Sequence, residues 1–197
     1  MANIFFNPRY IASVWRAGDI PAMPAPIVAF AGRSNAGKSS LINALCNAKT
    51  AKVSKAPGKT RMINIFQIQS RLLADMPGYG YAKVPVAEKR AWQTKMRGFL
   101  PDIGALVLVV DCRRGIGVLD SGMISAIGKE GGRLTAVIIA LTKADKLSRA
   151  KLLAAESRAR EVIADVVLPN VHVLPVSSHT GANIATLRAI VTKETAL

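Results

Sequence analysis

The sequence has few cysteines and no long apolar run. Only two of its 197 residues are cysteines, Cys46 and Cys112. Both fall in apolar segments, which favours buried free thiols over a metal site, since a metal site would need more ligands. The apolar runs are strand-sized and too short to span a bilayer. The first nine residues also lack the basic-then-apolar order of a signal peptide. We therefore expect a soluble, cytoplasmic, monomeric protein with no membrane partner.

Acidic residues are scarce as well. The chain has 12 Asp and Glu against 27 Lys and Arg, which gives a formal net charge of +15. The excess is local, because residues 33–97 hold 13 basic residues and only two acids, Asp75 and Glu88. So much positive charge in one region predicts a polyanionic partner, most simply RNA rather than DNA. A generally basic, well-solvated surface is the alternative.

One stretch, residues 32–39, fits the pattern G-x-x-x-x-G-K-[ST]. An apolar predicted strand precedes it and a predicted helix follows, which is the context that a phosphate-binding loop requires. Backbone N–H groups would surround the phosphates, Lys38 would add a full charge, and the Ser39 hydroxyl could bind Mg²⁺. The predicted phosphate-binding residues here are Gly32, Arg33, Ser34, Asn35, Ala36, Gly37, Lys38, Ser39 and Ser40.

A second motif follows a predicted hairpin of strands 62–69 and 71–74. Asp75 ends the second strand and is followed by Pro77 and Gly78. An acid at a strand end beside a phosphate loop is where a carboxylate of the Mg²⁺ shell belongs. The Gly78 N–H would then meet the γ-phosphate. A Pro-Gly turn with a capping Asp is the alternative.

Two further short motifs, at residues 142–145 and 177–178, follow the fifth and sixth predicted strands. Asp145 could accept hydrogen bonds from N1–H and the exocyclic amine of guanine, and adenine would leave it unpaired. Lys143 could lie along the base, and the Ser178 N–H could meet the guanine O6. Helix capping by Asp145 is the alternative. The predicted guanine-binding residues are Thr142, Lys143, Asp145, Ser177 and Ser178.

The second half of the chain alternates apolar strands with helices, which predicts a mostly parallel sheet covered on both faces. We expect a three-layer α/β fold of six strands with one antiparallel edge strand, and sites at the carboxyl ends of the strands. Residues 25–197 would form this single domain. Residues 1–24 would be an N-terminal extension that packs on it, with a short helix at 10–16.

In this order the motifs resemble those of Ras-like P-loop GTPases, and in detail those of the EngB (YihA/YsxC) family of bacterial GTPases. The residues that carry the resemblance are 32–43, Pro57-Gly58-Lys59-Thr60, 75–82 and 141–148. The resemblance implies a GTP-binding protein that helps to assemble the large ribosomal subunit, and whose loss disturbs growth and division. It also implies phosphate contacts from Gly58, Lys59, Thr60, Asp75 and Gly78, and catalytic roles for Lys38, Thr60 and Gly78. Of the implied metal-site residues, Ser39 and Thr60 would bind Mg²⁺ directly and Asp75 would act through a metal-bound water.

Two positions bear on the rate of hydrolysis. Tyr79 stands after Gly78, where Ras-type enzymes place a glutamine that orients the attacking water. A phenol cannot orient that water in the same way, so we expect slow hydrolysis that depends on a partner. Asn35 matches a position that related GTPases use to hold K⁺, or it only stabilises the loop. An alternative function is a GTP-dependent RNA-binding placeholder on pre-ribosomal particles, in which hydrolysis is incidental.

Overall fold

The computed structural model of the protein describes residues 5–15, 17–20, 26–51, 62–80, 98–130 and 132–196. Most of the predicted helix over 86–100 and most of the predicted loop over 49–61 lie outside these residues; the described end of that helix, 98–99, is helical. The strands are β1 (Arg9–Val14), β2 (Ile27–Gly32), β3 (Ile63–Ile68), β4 (Arg71–Asp75), β5 (Ile103–Asp111), β6 (Ala136–Thr142) and β7 (Val171–Pro175). The helices are α1 (Lys38–Cys46), α2 (Val118–Glu130), α3 (Arg149–Ile163) and α4 (Ile184–Glu194).

The described strands form one mixed sheet in the order β1-β3-β4-β2-β5-β6-β7. Strands β4, β2, β5, β6 and β7 are parallel, whereas β3 runs antiparallel to both of its neighbours, β1 and β4. The predicted hairpin of β3 and β4 is therefore confirmed, as is the mostly parallel α/β class. The strand count differs from the prediction, since this sheet has seven strands and β1, not β3, lies at its edge.

The additional strand replaces the helix that the sequence predicted over residues 10–16. Five of these seven residues are apolar, a pattern that fits either structure locally, and the edge of β3 that β1 covers decides the outcome. β1 pairs with β3 from Arg9↔Gln67 to Val14↔Ile63. The ring of Tyr10 meets Phe66 edge to face, with ring centroids 5.7 Å apart. The N-terminal segment thus contributes a strand to the sheet and the fully buried Phe5 to its core; the domain boundary near residue 24 stays a prediction.

Apolar side chains cover both faces of the sheet, because alternate residues of each buried strand point to opposite sides. Along β5, Leu106 and Leu108 belong to the cluster that includes Ile124 of α2 and Ile163 of α3. Val107 and Val109 belong to the opposite cluster, where the following side chains of α1 and α4 also lie: Leu41, Ile42, Leu45, Leu187 and Val191. The layers are therefore helix, sheet and helix. Cys46 and Cys112 are both buried and free, as predicted.

The parallel register places the carboxyl ends of the central strands along one edge of the sheet. Phe30 of β2 pairs with Asp75, and Asp111 of β5 pairs with Thr142 of β6. The phosphate-loop motif begins at the end of β2, so it lies between these polar strand ends. Among the described residues, no helix has the length and apolar character needed to cross a membrane.

Candidate nucleotide-binding site

The phosphate loop runs from the end of β2 to the start of α1. Gly32 leaves β2 so close to β5 that a Cβ atom would stand 2.5 Å from the Val109 carbonyl oxygen, and only glycine avoids this clash. The Ala36 N–H donates to the Arg33 carbonyl at 3.0 Å, which closes the first turn of the loop. Gly37 then caps α1, whose N-terminal end carries partial positive charge. The loop and the helix start together have the backbone arrangement that suits an anion, and the predicted phosphate contacts stay a prediction.

Lys38 and Asp75 meet at the centre of this edge. The Lys38 ammonium donates to Asp75 Oδ1, and the two groups form a buried ion pair in which Lys38 is 8% and Asp75 2% exposed. The sequence predicted both residues separately, as a phosphate ligand and as a carboxylate of the metal shell. In the structure the two residues form an ion pair with each other.

The segment after β6 contacts the phosphate loop directly. The Thr142 hydroxyl donates to the Ala36 carbonyl. The Lys143 ammonium donates to the Asn35 carbonyl at 2.7 Å and to Asp111 Oδ2 at 2.9 Å. Lys143 has a φ of 59°, which turns the chain between β6 and the short 3₁₀ turn Ala144–Lys146. These contacts place the predicted guanine-binding motif beside the predicted phosphate-binding motif.

Asp145 and Ser177 lie together at the adjoining strand ends. The Ser177 hydroxyl donates to Asp145 Oδ1 at 2.6 Å, and Lys146 forms an ion pair with Asp145 Oδ2 at 3.2 Å. The Ser177 oxygen also accepts the N–H groups of His179 and Thr180, which shapes the turn that holds Ser178. The hydrogen bond from Ser177 is the main cause that lowers the pKa of Asp145, so this carboxylate stays ionised and available as an acceptor.

Asp111 is a residue of the site that the sequence did not point out. It ends β5, is buried, and accepts hydrogen bonds from Arg113 Nε at 2.9 Å and from Lys143. Burial alone would raise the pKa of Asp111, but the hydrogen bonds from Arg113 and Lys143 outweigh it and lower the pKa below its usual value. Asp111 thereby holds Lys143 against the phosphate loop. The signal that could have found it is an acid at the carboxyl end of a buried strand.

Not every predicted site residue can be located. Gly58, Lys59 and Thr60 lie outside the described residues, so their phosphate and metal contacts stay predictions. Gly78 lies directly against Ser34 of the phosphate loop, and its contact with a γ-phosphate stays a prediction. Most of the basic residues in the region 33–97 also lie outside the described part of the chain. Of the remainder, Arg71 is buried at the opposite end of the sheet, where its Nε donates to Thr195 Oγ1 at 2.7 Å.

Comparison with known proteins identifies relatives along nearly the whole chain. The family described as "50S ribosome-binding GTPase" matches residues 27–143. A probable GTP-binding protein EngB of Methylobacillus flagellatus is 47% identical over 151 residues, which are 74% of this chain and 72% of that protein. A probable GTP-binding protein EngB of Nitrosococcus oceani is 41% identical over 187 residues, 92% of each chain.

Solved structures agree with the sequence relatives. The crystal structure of a probable GTP-binding protein EngB has a TM-score of 0.69 and 26% identity, over 86% of this chain and 98% of that one. A structure of Era with MgGDPNP and nucleotides 1506–1542 of 16S ribosomal RNA has a TM-score of 0.68 and 22% identity, over 89% of this chain and 58% of that one. The likeness to Era shows a shared fold. The family match and the curated relatives show that this chain belongs to the EngB family of GTP-binding proteins, within the Ras-like P-loop GTPases.

Proposed function

We propose that the protein is a slow, Mg²⁺-dependent GTPase that acts as a nucleotide-gated switch in assembly of the large ribosomal subunit, and so is needed for normal growth and division. The contact of Thr142 and Lys143 with the Ala36 and Asn35 carbonyls carries the proposal. It brings the predicted guanine-binding motif and the phosphate loop together in one site. The description of the matching family supports the ribosomal role.

The residues of the site divide the work of binding GTP. Asp145 accepts from guanine, Lys143 lies along the base, and backbone N–H groups from Gly37 to Ser39, at the start of α1, surround the phosphates. Lys38 leaves Asp75 to bind the β- and γ-phosphates. The Ser39 hydroxyl and the Asp75 carboxylate are hard oxygen donors of the kind that Mg²⁺ prefers, so this donor set fits the ion. Thr60 would complete it. When bound, Mg²⁺ neutralises charge on the β- and γ-phosphate oxygens.

Slow hydrolysis follows from the surroundings of Tyr79. Its hydroxyl donates to Asp120 Oδ1 at 2.6 Å, and its side chain is buried. A phenol engaged in this way is not free to orient an attacking water. The unassisted rate should therefore be far below one per second and closer to the roughly 10⁻⁴ s⁻¹ of Ras without its activator. Turnover of about one per second by the purified protein, without ribosomes, would contradict this expectation.

A role for K⁺ at Asn35 stays a separate prediction. Asn35 is exposed in the phosphate loop and has a φ of 64°, so an ion in solvent can reach this residue. Exchange of K⁺ for Na⁺ should slow hydrolysis if the amide helps to hold the ion. A rate that is indifferent to this exchange, with and without ribosomes, would leave Asn35 with a loop-stabilising role only.

The proposed partner is the large ribosomal subunit or its precursor, contacted in the cytoplasm through rRNA. The local charge excess supports this partner, because a bound nucleotide would neutralise only a few of the basic residues. The test is co-sedimentation of the protein with ribosomal particles in GTP, GDP or a non-hydrolysable GTP analogue, at several salt concentrations. We expect retention with the analogue, release with GDP, and a steep loss of binding as salt rises. Equal retention in all nucleotide states would contradict the switch.

The placeholder function differs from the switch in what hydrolysis accomplishes. Replacement of Thr60 by Ala should impair hydrolysis in both cases. If hydrolysis drives release, the variant stays on the particles when GTP is supplied. If hydrolysis is incidental, the variant leaves the particles as the wild-type protein does. Co-sedimentation after a GTP chase separates the two functions.

A further inference from the structure

Tyr79 is fixed to the phosphate loop by its main chain. Its N–H donates to the Gly32 carbonyl at 3.2 Å, and its carbonyl accepts the Ser34 N–H at 2.9 Å. Together these bonds extend the parallel pairing of β4 with β2 by one bridge, Arg33↔Tyr79. The residue before it, Gly78, lies so close to Ser34 that a Cβ atom would stand 3.0 Å from Ser34 Oγ and 3.2 Å from Ser34 Cα. Gly78, the glycine proposed to contact the γ-phosphate, is thus held directly against the loop.

The side chain of Tyr79 is fixed from the opposite direction by α2. Its hydroxyl donates to Oδ1 of Asp120, a carboxylate that is only 1% exposed. The second oxygen of Asp120 accepts the Gly117 N–H at 2.9 Å, which orients the carboxylate at the start of the helix. Burial, and then the negative charge of Asp120, raise the pKa of Tyr79 above its usual value, so the phenol keeps its proton.

The surroundings show that this pair is built into the fold and not a surface contact. The Arg33 guanidinium lies against Gly80 and Gly117, with Nε 3.3 Å and Nη1 3.2 Å from where their Cβ atoms would stand. Leu119 of α2 also contacts Gly80, at 3.1 Å by the same measure. Tyr79 therefore links three elements at one point: the phosphate loop, the end of β4 and the start of α2.

From this geometry we propose that Asp120 is a positioning residue of the GTPase site, which acts through Tyr79 to hold the Gly78 N–H in place for the γ-phosphate. The inference rests on the proposed GTP binding. GDP contacts the phosphate loop and the base motif but has no γ-phosphate for Gly78 to read. Loss of the Tyr79–Asp120 hydrogen bond should therefore weaken binding of a GTP analogue and leave GDP binding nearly unchanged.

The test is Tyr79→Phe, which removes one hydroxyl and creates no large cavity. Dissociation constants for GDP and for a non-hydrolysable GTP analogue are measured with Mg²⁺. A hydrogen bond to a charged group contributes enough that we expect about a tenfold weaker affinity for the analogue, and less than about a twofold change for GDP. Tyr10→Phe is the matched control, because the Tyr10 hydroxyl is hydrogen-bonded to Ser13 on the distant edge strand; it should change neither affinity.

Asp120→Ala and the double variant test whether the two residues act as one unit. In the Tyr79→Phe background, Asp120→Ala should weaken analogue binding little further, because the link is already broken. The inference would be overturned if Tyr79→Phe left the ratio of the two affinities unchanged, whether both affinities stayed the same or both fell equally. Wild-type protein that binds neither nucleotide would overturn the proposed function, and the inference with it, so the two failures are distinguishable.

Discussion

The proposed base end and the proposed phosphate end of the site are organised differently. At the base end, Thr142 and Lys143 donate to carbonyls of the phosphate loop, and Asp145 is oriented by Ser177. In the proposed binding mode, a nucleotide does not have to break these contacts. At the phosphate end, Lys38 is paired with Asp75, and it must leave that carboxylate to reach a phosphate. The base end is therefore preorganised, whereas the phosphate end must exchange partners.

The difference has energetic consequences. Groups that already stand in their binding geometry reduce the ordering cost of association. Separation of a buried ion pair, by contrast, costs about 3–5 kcal/mol when one charge is left uncompensated. Because Asp75 is almost fully buried, it needs a new cation once Lys38 has moved to a phosphate. The base end should therefore determine which nucleotide binds, and the phosphate end should make binding depend on Mg²⁺.

Asp145→Asn should break the base end and have the largest effect. The amide would present a donor to the guanine amine, so affinity for GTP should fall about 10²- to 10⁴-fold, while the 2-oxo group of xanthine would now find a donor. Competition binding with GTP and XTP measures both changes. Asp165→Asn, at an exposed acid just after α3, is the control. Undiminished GTP affinity in the Asp145 variant would exclude Asp145 as the base-reading residue.

Lys38→Ala should break the phosphate end in two ways. Loss of the ammonium should weaken GDP binding about 10- to 100-fold. The buried Asp75 is left without its cation, so the free energy of unfolding should fall by about 3–5 kcal/mol. Binding titrations and urea unfolding measure these effects.

The double variant Lys38→Ala with Asp75→Asn separates the two effects. It should recover most of the stability but none of the affinity, because the buried charge is gone while the phosphate ligand is still missing. Lys129→Ala, at an exposed position of α2, is the control. A Lys38→Ala variant as stable as the wild-type protein would show that the ion pair contributes nothing to the fold.

Ser177→Ala should loosen the base end without removing its charged acceptor. Asp145 loses the hydroxyl that orients Oδ1, and we expect about a tenfold loss of GTP affinity. The pKa of Asp145 should also rise toward its usual value, since the Ser177 hydrogen bond is the main cause of its depression. Ser148→Ala, at an exposed serine that precedes α3, should leave affinity unchanged. If the two variants bind GTP equally, Ser177 does not orient the base-reading carboxylate.

Asp111→Asn should give the smallest effect, visible as a change in pH dependence. The folded pKa of Asp111 is below its unfolded value of about 3.9. Its contribution to stability is therefore present above that value and lost as pH falls toward the folded pKa. Wild-type protein should be more stable than the variant at pH 7, and urea unfolding should show this difference shrinking below about pH 4. A difference that stays constant from pH 7 to pH 3 would rule out this role.

Much of the site was predictable because its motifs are local. The phosphate loop, the Asp75 strand end and the motif at 142–145 each place chemically distinctive residues next to a predicted strand. The parallel sheet then brings the strand ends together. The partners of the buried charges were not predictable in this way. Lys143 meets Asp111 and Tyr79 meets Asp120 only because strands and helices 32 and 41 residues apart in sequence become neighbours.

The wrong prediction of a helix over residues 10–16, where the structure has strand β1, has a related cause. Residues 10–16 have a short apolar pattern that fits a helix or a strand, and local periodicity cannot decide between them. The outcome depends on the open edge of β3, whose backbone groups need partners and which β1 then covers.

The burial of Asp120 was not predictable either. In sequence, a buried acid on a helix looks the same as a solvent-exposed one, and the burial of Asp120 depends on the packing of α2 against Tyr79 and the phosphate loop.

GDP binding by Asp75→Asn protein without divalent cations tests most directly whether the phosphate end exchanges partners. In this variant Lys38 has no carboxylate partner to leave. Its ammonium group can therefore bind a phosphate of GDP without the cost of separating an ion pair. We predict that GDP binds about tenfold more tightly than to the wild-type protein under the same conditions. An affinity equal to or weaker than that of the wild-type protein would contradict the account, because it would show that the Lys38–Asp75 pair does not oppose phosphate binding.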